Sequence, residues 1–196
     1  MWSTRSRDTG VRPGGGSDLT VVPAWTSALA VTVALLGMGW YALVRGVRVP
    51  LLGLFDLGIH ELGHLVSYPL PVPRIVEAVA GSAAQILVPL GLALYFARVV
   101  GDRDGRQGAA FCAGWAASSM VDVSVYVADA PHQRLTLIGG HHDWAYILGP
   151  RGLNHLDWAG SIAGGLRTTA LGIWLVSLAV VAGPPLLGRL APSGED

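Results

Sequence analysis

His60-Glu61-Leu62-Gly63-His64 is the stretch of this sequence best equipped for chemistry. On a helix, residues four apart share a face, so both imidazoles can reach one metal ion. A metal lowers the pKa of a water it binds toward about 7, and Glu61, beside His60, is placed to take that water's proton and pass it to a leaving amine. The pattern is short and arises by chance in soluble helices, where it is a structural polar cluster. Its setting gives it weight. Residues 49–73 carry only Asp56 and Glu61 as acids and otherwise read as a membrane span. An ionisable residue in such a span costs roughly 2.5–3.5 kcal/mol on insertion scales, so a cluster of them needs a purpose.

A catalytic zinc usually takes three protein ligands, and the pentapeptide supplies two. Asp122 is the leading candidate for the third, being the only charge within residues 107–128. If the segments of His60 and Asp122 cross a membrane in the same direction, a rise of about 1.5 Å per residue brings both to the same depth. Gln85, on a segment running the other way, falls in that layer too. Ser118, Asp122, Tyr126 and Asp129 make a polar stripe at helical spacing, with Asp129 at the membrane edge as a helix-end group. Asp56, one turn before His60, is positioned to accept that ring's free N–H, as carboxylates behind zinc-binding histidines do. It would otherwise be a water-facing acid. A later stretch, residues 137–158, holds His141, His142, Asp143 and His155 among Trp144, Tyr146 and Trp158. His142 or Asp143 is the alternative third ligand. The bland reading of this stretch is an interfacial loop with its aromatic rings at headgroup level.

The elements that must position these residues follow from composition. The chain has 196 residues, 52% hydrophobic and 13% charged, with a mean hydropathy of +0.49. Soluble domains carry about 25% charged residues. All 13 basic residues are arginines, balanced by 13 acids, so no basic field points to nucleic acid. The single cysteine, Cys112, excludes a disulfide within the chain and a cysteine-based zinc cluster. Uncharged intervals of the length needed to cross a bilayer predict an all-α, multi-pass membrane protein with five transmembrane helices, at about 24–44, 50–70, 78–97, 108–128 and 168–187. The last is expected to break at Gly183-Pro184-Pro185. The metal site is expected between helices 2, 3 and 4. One domain covers 21–188, with a disordered tail at 1–20, another tail at 189–196, and a loop at 130–167 able to act as a lid. Residues 154–167 are expected to form a short surface helix. Arginines divide almost evenly between the two sides, so the positive-inside rule gives no orientation.

Residues 51–129 resemble the site-2 protease family of intramembrane zinc metalloproteases. His60-Glu61-Leu62-Gly63-His64 matches that family's metal-binding helix, Gly81-Ser82-Ala83-Ala84-Gln85 is similar to its glycine-led segment, and Ser119-Met120-Val121-Asp122 stands where it carries an aspartate ligand. No Asn, Pro or Gly adjoins Asp122, which departs from the family pattern. The resemblance implies a divergent bacterial member in the cytoplasmic membrane. It implies Zn²⁺ on His60, His64 and Asp122, catalysis by Glu61, and Gln85 orienting a substrate strand or holding an oxyanion. The expected activity is hydrolysis of peptide bonds in membrane-embedded protein or peptide substrates. The alternatives are a membrane zinc amidase acting on a lipid and a non-catalytic metal-binding membrane protein.

Overall fold

A computed structural model describes residues 24–137 and 141–190, with side chains described for 25–137 and 141–182. The expected tail at 1–20 lies outside the described residues, as does 191–196 of the expected tail at 189–196, whose first two residues belong to α6. Six α-helices carry the described chain: α1 (Ala24–Gly39), α2 (Leu52–Ser67), α3 (Arg74–Tyr95), α4 (Arg103–Asp129), α5 (Asp143–Leu148) and α6 (Ala159–Leu190). α1 and α3 each finish in a wider π-helical turn, and a single 3₁₀ turn precedes α6.

Among the described residues, four helical stretches and not five are long and apolar enough to cross a membrane: Trp25–Val44, Arg74–Val100, Arg103–Asp129 and Leu156–Ala182. They support an integral, multi-pass membrane protein. The expected span at 50–70 is α2, which has 16 residues and is therefore only about 24 Å long. Prolines explain the difference. Pro50 precedes the helix, and Pro69, Pro71 and Pro73 prevent it from continuing. An interval defined by its low charge counts these flanking residues as helix, and the backbone does not. At the other end of the chain, α6 runs to Leu190 across Gly183-Pro184-Pro185, and the expected surface helix at 154–167 merges into it.

α4 is the centre of the bundle because its side chains are small. Ala116 and Ser119 are fully buried, and Gly114 leaves no room for a β-carbon against Leu35 of α1. Small residues let apolar helices approach closely where lipid removes the usual hydrophobic drive to associate. α1 runs parallel to α4: Leu35 packs beside Ala110, and Ala42 beside Ala117 and Val121. α3 and α6 run antiparallel, since Ala78 and Ala163 meet Val127 while Val181 meets Ala110. The outward faces of the spans expose Val33, Leu87, Leu94, Leu175 and Val176, as lipid-facing helices do.

While the first half of α2 lies along the middle of α4, α5 and the C-terminal half of α2 gather at the end of the bundle marked by the C-terminus of α4 and the N-terminus of α3. Ile147 and Leu148 of α5 are buried there with Ala78 and Val127. α2 turns Asp56, His60, His64 and Ser67 inward and leaves Leu54, Phe55, Leu62, Leu65 and Val66 exposed. Gly63 lets it lie directly on the Ala80 carbonyl of α3.

Asp56 ties α2 to α4, accepting hydrogen bonds from Trp115 Nε1 at 2.7 Å and Ser119 Oγ at 3.0 Å. Burial pushes its carboxyl up to about 6, and the neighbouring Asp122 adds to the rise against the opposing pull of those bonds and of Arg48. The folded pKa lies above the ordinary 3.8, so the fold favours the protonated acid. That stabilisation is complete below the unfolded value and is lost as pH rises through about 6. Asp56→Asn keeps an accepting oxygen and cannot ionise. It should raise the unfolding temperature at pH 8, by the equivalent of about 1–3 kcal/mol, and leave it nearly unchanged at pH 4. Thermal unfolding in detergent at the two pH values checks this, and an equal shift at both would contradict it.

Candidate metal centre

The i, i+4 spacing on α2 does what helical geometry requires. The His60 and His64 rings point the same way, with their Nε2 atoms 3.2 Å apart. Asp143, the first residue of α5, brings Oδ2 to 3.3 Å from His60 Nε2 and 3.2 Å from His64 Nε2. The three ligand atoms lie within 4.8 Å of one another, and both histidines are buried.

The outer ring nitrogens decide what the inner ones can do. His64 Nδ1 lies 2.9 Å from the Glu77 carbonyl, which only accepts, so the His64 proton sits on Nδ1. His60 Nδ1 lies 3.3 Å from Gln85 Oε1, again an acceptor. Both Nε2 atoms then present lone pairs to each other and to a carboxylate oxygen. Three electron-pair donors facing one another without a shared hydrogen are satisfied by a cation, and the pattern of ring N–H groups held from behind is that of metal-binding histidines. Two imidazoles and a carboxylate suit a divalent ion of the zinc kind. The triad can therefore hold a divalent metal.

Gly81 makes space for it. A β-carbon there would stand 2.5 Å from His64 Nε2 and 2.6 Å from His60 Nε2. The rings cannot yield without breaking their bonds to Glu77 and Gln85. Gly81→Ala should therefore weaken metal binding about 10–100-fold, comparable to loss of an outer-shell partner, while leaving the helices intact. A metal competition titration alongside circular dichroism measures both, and unchanged affinity would refute the cradle.

Asp143 is fixed from α4. Its backbone N–H donates to Tyr126 Oη at 2.9 Å, and that hydroxyl donates back to Oδ2 at 3.2 Å. His142 caps α5: its Nδ1 accepts the Ala145 N–H at 3.2 Å. Its Nε2 is buried and faces Asp129 Oδ2 at 3.4 Å. Burial depresses the His142 pKa, against the pull of Asp129, and keeps the ring in the neutral form that a cap requires. Asp129 also accepts the N–H groups of Arg134 and Leu135, which closes the turn after α4. Trp144 Nε1 donates to Ser82 Oγ at 3.0 Å and pins α5 to α3.

The structure thus brings together His60, His64 and Asp143, with Gln85 behind the first. Asp122 is outside the triad: it lines the same cavity, and its carboxylate pairs with Arg48 Nε at 3.0 Å. Asp56 faces Trp115 and Ser119. Tyr126 belongs to the polar stripe and Gly81 to the glycine-led stretch, but nothing in the sequence gave either a role at the metal. The Glu77 carbonyl is a backbone group and has no sequence signal.

A cavity of about 470 Å³ opens onto the centre. Glu61, His60, His64, Gln85 and Asp143 supply its polar wall, and Leu57, Val123, Val125, Leu135 and Leu137 an apolar one.

The placement overturns the expected site between membrane helices 2, 3 and 4. The ligands ride on α2 and α5, neither of which is among the helices long and apolar enough to cross a membrane. His64 meets the first turn of α3 and Asp143 the last turn of α4, at one end of the bundle. The resemblance to the site-2 protease family and the intramembrane proteolysis it implied fail on this point, because that chemistry needs the ligands on spanning helices. No protein-family model, curated protein or solved structure matches the chain.

Proposed function

We propose that this chain is a membrane-anchored, zinc-dependent hydrolase that cleaves an amide bond in an amphipathic, lipid-linked substrate at the membrane boundary. The observation that carries this reading is the convergence of His60 Nε2, His64 Nε2 and Asp143 Oδ2, next to a free-standing Glu61 in the wall of the cavity. A divalent ion held there supplies Lewis acidity, polarising a carbonyl and lowering the pKa of water.

The protein's own groups account for the remainder. Glu61 lies next to His60 in sequence and lines the same cavity, without belonging to the triad. A purely structural or storage site has no use for a base in that position. As general base, the Glu61 carboxylate takes a proton from the attacking water while the water oxygen bonds to the amide carbon. It then returns the proton to the departing nitrogen as the C–N bond breaks. Tyr126 and the His142 cap hold Asp143 in place. The cavity's polar wall suits a headgroup and its apolar wall an attached chain, which favours an amphiphile over a soluble peptide.

The test is incubation of the metal-loaded protein in lipid nanodiscs with a panel of amide-linked and ester-linked lipids, with and without a chelator. Chelator-sensitive release of amine from an amide-linked lipid is expected. A rate equal to that of empty nanodiscs across the panel would overturn the hydrolase reading and leave a metal-binding membrane protein.

A further inference from the structure

We infer that Arg48 anchors the headgroup of the molecule that occupies the cavity, and that this molecule carries an oxyanion, a carboxylate or a phosphate, a few bonds from its amide. The inference rests on the hydrolase reading for the amide, and narrows the substrate class to acidic amphiphiles.

Arg48 lies on the turn between α1 and α2 and lines the cavity together with His60, Glu61, His64 and Asp143. Among the described residues of that lining, it is the one permanently charged cation. Two contacts hold its side chain. The stem runs over Gly53, where a β-carbon would stand 3.2 Å from Arg48 Cβ and 3.5 Å from Cδ. At the far end, Nε donates to Asp122 Oδ1 at 3.2 Å and stands 3.0 Å from Oδ2. This pairing runs through Nε. The two Nη groups form the separate edge by which a guanidinium forks onto a carboxylate or a phosphate.

Exposure decides which partner of the pair meets a ligand. The Arg48 side chain is 62% exposed and that of Asp122 only 15%. The acid is covered and the base is not, so the pair presents a cation to the cavity. A guanidinium does not lose its proton in proteins, and the argument is therefore independent of the state of Asp122. A cation held at both ends of its side chain has already lost the freedom that binding would otherwise cost.

The spacing to the triad limits what the anchor can hold. Asp122 and Tyr126 are successive turns of α4, and Tyr126 Oη donates to Asp143 Oδ2. The supports of the cation and of the third ligand thus lie about 6 Å apart along that helix. An amide carbonyl at the triad leaves its nitrogen side free to carry an acid toward Arg48, as in an N-acylated amino acid or an N-acylated phosphoethanolamine. The acyl chain then lies against Leu57, Val123, Val125, Leu135 and Leu137. Hydrolysis adds water across the C–N bond and releases a fatty acid and the acidic amine.

The experiment uses the full chain in detergent and three probes with one acyl chain: an N-acylglycine, an N-acylphosphoethanolamine and the neutral N-acylethanolamine. Binding is measured first with chelator present, which separates it from hydrolysis. The wild type should bind both acids more tightly than the neutral probe, by about 10–100-fold for a charged, forked contact. The tighter of the two acids identifies the headgroup. Arg48→Gln should abolish the preference and leave the neutral probe unaffected, while Arg48→Lys keeps the charge without the fork and should retain part of it. With zinc, Arg48→Gln should raise KM for the acidic probe rather than lower kcat, the mark of lost ground-state binding. Equal affinity of the wild type for all three probes would overturn the anchor. So would an equal loss for all three in Arg48→Gln, which would assign Arg48 to the structure of its turn. If Arg48→Gln does not fold, the wild-type comparison and Arg48→Lys decide alone. Preferential binding without turnover would refute the hydrolase and leave the anchor standing, and turnover without preference would do the reverse.

Discussion

Asp143→Ala is expected to weaken zinc binding by about two orders of magnitude. Metal binding worth roughly 10–16 kcal/mol, shared among three or four ligands, leaves about 3 kcal/mol or more for each. The loss should come without unfolding, because α5 keeps its His142 cap, its buried Ile147 and Leu148, and the Trp144–Ser82 bond. Cobalt substitution separates a ligand from its supports. At saturating cobalt, Asp143→Ala should alter the d–d spectrum, since the ion has exchanged a carboxylate for water. Asp122→Asn, at saturating cobalt, should keep the wild-type spectrum, since Asp122 lies outside the triad and pairs with Arg48. The opposite pair of spectra would move the third ligand to Asp122 and dismantle the site described for α5.

Glu61→Gln should leave zinc affinity within about threefold and reduce amide hydrolysis about 10²–10⁴-fold, the range expected on removing a general base. Glu61 shares α2 with both histidines but takes no part in the triad, so its amide replacement disturbs neither ligand geometry nor the bonds behind the rings. The acid matters only as a proton carrier. The check is a single preparation assayed for bound zinc and for turnover on the lipid amide that the wild type cleaves. Full activity with full zinc would remove Glu61 from the chemistry, and loss of zinc together with activity would make it part of the binding site.

Much of the centre was legible before any fold was known, because i, i+4 spacing is a local property of a helix. His60, Glu61 and His64 depend on nothing else. Counting depth along the segments also brought Gln85 and Asp122 near the histidines, and Gln85 does stand behind His60. The third ligand was harder. Depth counting assumed that the segment at 50–70 crosses the bilayer, whereas Pro69, Pro71 and Pro73 stop α2 short. Asp143 arrives on a six-residue helix whose sequence has no periodicity to announce it, and whose position depends on Tyr126, 17 residues earlier. Contacts of that kind are settled by tertiary packing. The same holds for the Glu77 carbonyl and for the space above Gly81, where a backbone atom and a missing β-carbon do the work.

The four apolar helices, by contrast, were readable from composition, with errors mainly at their ends. α3 and α6 extend beyond the uncharged intervals because Arg74 and Arg98 sit at the rims of α3, and because Arg167, well inside the α6 stretch, donates through Nε to Ser124 Oγ at 3.0 Å. Long basic side chains reach back to the headgroup region and let a span carry charge near its ends.

The most direct measurement is the metal content of the wild-type protein after zinc loading and removal of free ion, beside a His60→Ala/His64→Ala double variant of equal helicity. A single tightly held zinc ion per wild-type chain and none in the double variant is the expected result. Equal zinc in the two proteins, or none in either, would contradict a metal centre on α2 and α5.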